Sequence, residues 1–291
     1  MSNWIFIDEK FYTRMNAKIS VFDHGLLYGD GIYEGIRCYS GNVFQLEEHI
    51  DRMMKSANSI RMKIKYSKQE LIKFVIQTLN KNKLKNAYIR IIITRGFGPL
   101  GPDPNACENP SLIIITENLP NIHGDKAFKN GVSLAIVTTR RDSVDGTSHE
   151  IKSLNYLNSI SALIEAKQQN ADDAVMLDQF GFVSESTVSN IFIVENGVIS
   201  TPQTSNGILK GITRRNVIEI AKELNIQVLE RNITPYELIN ADEIFLTGTH
   251  AEVLIVKKIN NIIIENNELS RKIQLKYIDR TTNSKFGIRV C

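Results

Sequence analysis

The run HEIKSLNYLNSISALIEA, residues 149–166, places a lysine at the head of a helical stripe. Leu154, Leu157, Ile160 and Ile164 recur at three- and four-residue spacing, which predicts an amphipathic helix starting just after Lys152. Strand patterns flank it: VSLAIVTT (132–139) before, and DAVMLDQFGFVSES (173–186), read as paired strands, after. Strands and helices continue to mix in both directions without strict alternation. That predicts two α+β lobes rather than one doubly wound sheet. By residue type alone Lys152 is ambiguous. A lysine at a helix start is ordinarily a solvated charge, and it becomes a covalent catalyst only where a site arranges for its neutral amine.

Working outward, WIFIDEKFYTR (4–14) reads as two short strands and IRCYSGNVFQL (36–46) as a hairpin around Ser40-Gly41. EEHIDRMMKSANSI (47–60) carries Ile50, Met53, Met54, Ala57 and Ile60 at helical spacing, and SKQELIKFVIQTL (67–79) opens with a Ser67–Glu70 capping box. The strand AYIRIIITR (87–95) leads into residues 96–110, which hold three glycines and four prolines. A loop of that length and stiffness suits function better than mere connection. Polar residues 117–130, with Pro120 and Gly124, mark a boundary. The expected division is a small N-terminal α/β domain over 1–120, a linker over 121–130 and a larger C-terminal domain over 131–291. In that second half, Asn196-Gly197 predicts a two-residue hairpin, Thr213 is placed as the N-cap of the helix ITRRNVIEIAKEL, TPYELI (234–239) is a capping box with Pro235 at the first helical position, and DEIFLTGT (242–249) is a strand.

The 291 residues carry 35 basic and 32 acidic side chains, a net +3, too balanced to imply a nucleic-acid or membrane-surface partner. Five histidines never fall at metal-ligand spacing, and no Cys-x-x-Cys occurs, so no metal is expected. Cys38, Cys107 and Cys291 are scattered and odd in number, which fits a reduced, cytoplasmic setting. MSNWIFIDEK does not read as a signal peptide, and runs such as LIII are too short to span a bilayer.

Several pieces can carry chemistry. GILKGITRRN (207–216) puts two glycines and a hydroxyl at a helix start, where backbone N–H groups form an anion site or simply a capped end. FLTGTHAEV (245–253) ends a strand in a hydroxyl-rich turn, a second candidate cradle or an ordinary reversal. In AYIRIIITR, alternation sets Tyr88, Arg90, Ile92 and Thr94 on one face and the isoleucines at 89, 91 and 93 on the other; the first face suits a carboxylate cleft or solvent. Arg52 points away from the apolar stripe of its helix and reads as solvated unless that side lines a pocket. Glu185, in a strand of small residues, needs a cationic partner if it is buried. A lysine, two phosphate cradles, an arginine, a strand carboxylate and a phenol are the parts of a pyridoxal phosphate site.

The order and wording of these pieces resemble the branched-chain amino-acid aminotransferases, class IV transaminases of the fold type IV pyridoxal phosphate enzymes. The resemblance runs through SVFDHGLLYGDGIYEGIR (20–37), EEHIDRM, AYIRIIITRG, KSLNYLNS, GFVSES, GILKGITR, TGTHAEV and KFGIRV, nearly the whole chain. It implies a small N-terminal and a larger C-terminal lobe with the cofactor, pyridoxal 5'-phosphate, between them. It implies transfer of the amino group between leucine, isoleucine or valine and 2-oxoglutarate, by a homodimer or higher homo-oligomer. By the same resemblance Lys152 is the Schiff-base lysine and proton shuttle. Glu185 partners the pyridine nitrogen, Tyr156 the 3'-oxygen, and Leu209 packs on the ring. Arg52, Ile212, Thr213 and Thr249 take the phosphate. Tyr28, Tyr33, Tyr88 and Arg90 line the substrate pocket, and Thr249, His250 and Ala251 receive the α-carboxylate. Lys210, within the phosphate cradle, is a bystander. Two departures stand out: His250 replaces an alanine in the carboxylate-binding turn, which touches substrate preference, and Pro99 stands where an acidic residue is common. The scaffold also serves D-amino-acid and (R)-amine transaminases and aminodeoxychorismate lyases, but the loop after TRG lacks the Arg-x-His of the D-amino-acid enzymes. A non-catalytic binder of phosphate ligands is the alternative of another class.

Overall fold

Isoleucines at every second residue of 89–93 make one face of a strand wholly apolar, and a sheet forms on it. The computed structural model describes residues 4–118, 127, 128 and 130–290. The chain divides into two compact units: unit 1 takes Met1–Leu119, Ile151–Asn155 and Thr281–Cys291, and unit 2 takes Pro120–Glu150 and Tyr156–Arg280. Most of the expected linker, 121–130, lies outside the described residues. Residues 151–155 and 281–291, which the sequence reading grouped with the C-terminal domain, go with unit 1 because their backbones pair with its strands.

Unit 1 is a seven-stranded antiparallel sheet. Its strands are β1 (Trp4–Ile7), β2 (Lys10–Thr13), β3 (Gly31–Tyr39), β4 (Asn42–Phe44), β5 (Ala87–Thr94), β6 (Ser111–Glu117) and β16 (Gly287–Arg289), in the order β16-β4-β3-β5-β6-β1-β2. Ile89, Ile91 and Ile93 are at most 1% exposed, so the alternation expected of β5 holds. They pack with two helices, α2 (Leu46–Ser59), which buries Ile50, Met53 and Ala57, and α3 (Lys68–Asn82), which buries Leu71, Val75 and Leu79. Burying each large side chain contributes about 1.5–3 kcal/mol. The Ser67–Glu70 capping box at the start of α3 is present in both directions. A single-turn helix α1 (His24–Tyr28) precedes β3.

Unit 2 holds a nine-stranded mixed sheet. Its strands are β7 (Val132–Ile136), β8 (Asp173–Leu177), β9 (Val183–Ser186), β10 (Asn190–Glu195), β11 (Val198–Thr201), β12 (Val228–Glu230), β13 (Glu243–Gly248), β14 (Glu252–Ile259) and β15 (Ile262–Ile263). The order is β12-β11-β10-β13-β14-β7-β8-β9, with β15 on β14; β11–β12, β14–β7 and β7–β8 are parallel. The helices are α4 (Leu157–Gln168), α5 (Ile212–Glu223), α6 (Pro235–Ile239) and α7 (Glu268–Thr282). In α4 the stripe that predicted the helix is its open face: Leu157 is 75%, Ile160 49% and Ile164 54% exposed. The buried face is Ser159, Ala162 and Ala166, small enough to let the helix lie close on Ala135, Ala174 and Met176 of the sheet. The start of α5 also differs from expectation. Its N-cap is Gly211, with no side-chain cap, and Thr213 is the second helical residue.

Candidate active site

In unit 1, Lys152 sits in an extended segment that β3 recruits. Tyr33 N–H donates to Lys152 O (2.9 Å), Leu154 N–H to Gly31 O (3.0 Å), and Lys152 N–H to Ser56 Oγ on α2 (3.2 Å). The backbone of the lysine is thus fixed on both sides while its chain stays half-buried. Its Nζ stands 4.5 Å from the centre of the Tyr33 ring. Arg90 Cζ lies 4.4 Å from that ring centre, and Arg90 Nη2 donates to Tyr88 Oη (3.1 Å). The expected partnership of Tyr88 with Arg90 is therefore present, and Tyr33 joins it. Gly35, opposite Arg90 in the sheet, is what lets Tyr88 lie across β3: a Cβ there would come within 2.3 Å of Tyr88 Oη. Tyr28 is set apart from this group. It is 40% exposed, and its hydroxyl accepts from Gly101 N–H (2.7 Å) in the long loop.

Arg52 is not the solvated arginine of the helix pattern. Its Nε and Nη2 donate to the two oxygens of Glu34 (2.7 and 2.8 Å), and its side chain is 13% exposed. His49 Nδ1 lies 2.7 Å from Glu34 Oε2. Burial works to raise the Glu34 carboxyl, but the charge and hydrogen bonds of Arg52, with those of His49, outweigh it and hold the group at about 2. His49 is pushed down by burial, against the pull of Glu34. Glu34 is therefore ionised and can only accept, so His49 Nδ1 carries the proton that it donates. Sequence reasoning gave Glu34 and Ser56 no role. The signals were an acid inside an apolar strand, IYEGI, and the spacing 49, 52, 56 on one helix.

In unit 2, Glu185 is 7% exposed, and its surroundings are donors. Its Oε2 accepts from Asn190 Nδ2 (3.0 Å) and Leu209 N–H (3.1 Å), and Oε1 lies 3.3 Å from Nη2 of Arg141, itself 2% exposed. The cation this carboxylate needed is Arg141, which no motif announced. Asn190 Nδ2 also donates to Leu209 O (2.9 Å), tying the 207–211 segment to β10. That segment delivers the uncapped start of α5. The Thr213 hydroxyl is 3.4 Å from Tyr277 Oη, and Ile212 and Thr213 are both buried. The Thr249–Ala251 turn joins β13 to β14, with Thr249 and His250 half-buried and Ala251 buried. Tyr156 is the residue before α4 and is half-buried. Lys210 is largely exposed and pairs with Glu150 (2.9 Å), as a bystander would.

The site residues thus form two sets: Arg52, Tyr33, Tyr88, Arg90 and Lys152 in unit 1, and Tyr156, Glu185, Leu209, Ile212, Thr213 and the 249–251 turn in unit 2. Two α+β units carrying these groups define a class of protein, an aminotransferase of fold type IV. The chain belongs to the class IV aminotransferase family, whose model matches residues 31–259. It is 47% identical to a Methanocaldococcus jannaschii protein provisionally named a branched-chain-amino-acid aminotransferase, over 98% of each chain. It superposes on the branched-chain aminotransferase of Thermoproteus uzoniensis solved with norvaline, with a TM-score of 0.94 and 33% identity over the whole of both chains. Against a branched-chain amino acid aminotransferase from T.th. solved with pyridoxamine 5'-phosphate, the TM-score is 0.95 at 30% identity, covering 100% of this chain and 99% of that one.

Proposed function

We propose that the chain is a branched-chain-amino-acid transaminase that uses pyridoxal 5'-phosphate to move an amino group between leucine, isoleucine or valine and 2-oxoglutarate. The observation that carries the reading is the match over the full chain to aminotransferases of that name, one of them holding pyridoxamine 5'-phosphate. The residues present fit the cofactor. Glu185 is a buried carboxylate steadied by Asn190, Leu209 and Arg141, and a carboxylate with about four lone-pair sites suits a ring N–H as a further donor. The start of α5 has backbone N–H groups and no side-chain cap, as a phosphate requires.

When bound, the cofactor supplies an electron-accepting ring that stabilises charge at the substrate Cα. Lys152 would hold it through Nζ and would move the proton at that Cα. Glu185 would keep a proton on the ring nitrogen, with Arg141 and Asn190 orienting its carboxylate. Tyr156 would serve the 3'-oxygen, and Leu209 would pack against the ring. Arg52, Thr213, Thr249 and the N–H of Ile212 would take the phosphate. Tyr28, Tyr33 and Tyr88 offer ring faces to an aliphatic chain, Arg90 reads the second carboxylate of glutamate, and the Thr249–His250–Ala251 turn takes the α-carboxylate.

The working form is a homodimer or larger homo-oligomer. In support, unit 1 exposes Val21, Phe22, Leu26, Phe97 and Leu100, with Phe22 and Phe97 in edge contact, and unit 2 exposes the α4 stripe. The setting is cytoplasmic: Cys38 and Cys107 are free thiols, and among the described residues no helix is long and apolar enough to cross a membrane. The experiment is a half-reaction screen of L- and D-amino acids, followed by the change in the cofactor's absorption. Conversion by L-leucine and L-glutamate is expected. Conversion by D-alanine or an (R)-amine instead assigns the chain to another branch of the scaffold. A colourless protein that borohydride leaves unchanged rules out the whole reading.

A further inference from the structure

One stripe of α2, His49, Arg52 and Ser56, is polar although its helix is otherwise anchored by apolar residues. The three positions are spaced by three and four residues and share a face. Two of them meet Glu34, which is 0% exposed, and the third accepts the backbone N–H of Lys152. A buried ion pair is a poor stabiliser in itself, because apolar residues of like volume serve as well or better. The geometry here has another consequence. Glu34 takes the Nε–Nη2 edge of the guanidinium in a bidentate grip, and His49 fixes the carboxylate from a second direction. A planar fork held along one edge has its other terminal nitrogen, Nη1, aimed in a set direction.

We propose that Glu34 and His49 are positioning residues for phosphate recognition: they clamp Arg52 so that its guanidinium meets the cofactor phosphate without first losing rotamer freedom. The inference rests on the functional reading above. Neither residue touches the cofactor. Both act through Arg52, and the same helix face sets the backbone of Lys152.

The test is the selectivity of the full chain for pyridoxal 5'-phosphate over pyridoxal, which lacks the phosphate, each titrated by absorbance. Arg52→Met should lower that selectivity about tenfold or more, as loss of a charged hydrogen bond implies. Glu34→Gln should reproduce the loss, and the double variant should be no worse than Arg52→Met alone, since Glu34 then has nothing to aim. The double variant also buries no uncompensated charge, so it keeps the test open even where Glu34→Gln fails to fold. His49→Ala should cost a smaller part of the selectivity, and His49→Asn, whose amide N–H replaces the ring Nδ1–H, should restore it. A merely structural role moves both ligands together and leaves the ratio alone. The proposal is overturned if Glu34→Gln weakens both ligands equally, or if the losses multiply in the double variant. If the wild-type chain binds neither ligand, the functional reading fails as well. If Arg52→Met loses the selectivity and Glu34→Gln keeps it, this inference fails alone.

Discussion

Replacing Gly211 by alanine tests how tightly the carboxylate side of the site is built. The backbone there, at φ −63° and ψ 135°, suits alanine, so any cost is steric. The added Cβ would stand 2.1 Å from Asn190 Oδ1 and 3.3 Å from Asn190 Cγ. Asn190 cannot turn aside cheaply. It is 4% exposed, and its Nδ2 donates both to Glu185 Oε2 and to Leu209 O. Moving it by about an ångström breaks both bonds. The first, to a charged group, is worth about 1.5–3 kcal/mol and the second about 1 kcal/mol. A destabilisation of about 2–4 kcal/mol follows, in line with overpacking elsewhere, and a drop in Tm of about 5–15 °C. Glu185 also loses an orienting donor, so the single-turnover rate with leucine should fall even in the folded fraction. Thermal unfolding and stopped-flow absorbance measure the two effects. In an Asn190→Ala background the clash with Asn190 is gone and only the tight 3.2 Å approach to Arg214 Cβ remains, so Gly211→Ala should then cost clearly less than in the wild type, because neighbouring sites couple. A Gly211→Ala variant as stable as wild type, or costs that simply add in the pair, would refute the reasoning.

Lys152→Ala should lower transamination by several orders of magnitude with the fold intact, while Lys210→Ala, which breaks only an exposed pair with Glu150, should turn over nearly normally. Arg90→Met should weaken glutamate and 2-oxoglutarate by about 2–4 kcal/mol in kcat/KM but leucine by less than about 1.4 kcal/mol. Equal losses would instead place Arg90 on the α-carboxylate that both substrates share. Glu34, at about 2 in the folded chain against an ordinary 4.5, contributes stability that is fully present above about pH 4.5 and is lost as the pH falls toward 2. That contribution is about 3 kcal/mol, so wild-type denaturation midpoints should drop steeply between about pH 4.5 and 2, whereas those of Glu34→Gln should be flatter across the same window.

The fold was legible wherever a local pattern decided it. The period-two isoleucines of β5, the capping boxes at Ser67 and Thr234 and the Asn196-Gly197 hairpin all appear where the sequence put them. What local patterns could not show is which neighbour covers a face. The apolar stripe of α4 announced a helix correctly, yet the sheet takes the small-residue side, because alanines allow closer approach than leucines do. Thr213 likewise satisfied the cap rule, but Gly211 is the residue whose missing side chain leaves room for Asn190. The site was less legible still. Lys152, Arg52 and Glu185 were singled out as site residues only by the resemblance, since residue type alone left them open to ordinary solvated or paired roles. Arg141 and Glu34 escaped notice because their meaning lies in partners on other elements: Arg141 meets Glu185, and Glu34 meets a helix fifteen and eighteen residues on.

The last strand of unit 1 bears on how the protein is made. β16 pairs Gly287 with Phe44, and Asn42 Nδ2 donates to Thr281 O (2.8 Å), so residues 42–44 wait for partners some 240 positions further along. Residues 151–155 must likewise emerge before β3 is complete. A ribosome therefore releases most of unit 2 while β4 is still an open sheet edge, the kind of edge that templates pairing with other chains. Translation that halts at residue 280 leaves Lys152 in place but strips that edge and the carbonyls that satisfy Asn42. The shortened product keeps its chemistry in principle and is a target for aggregation in practice.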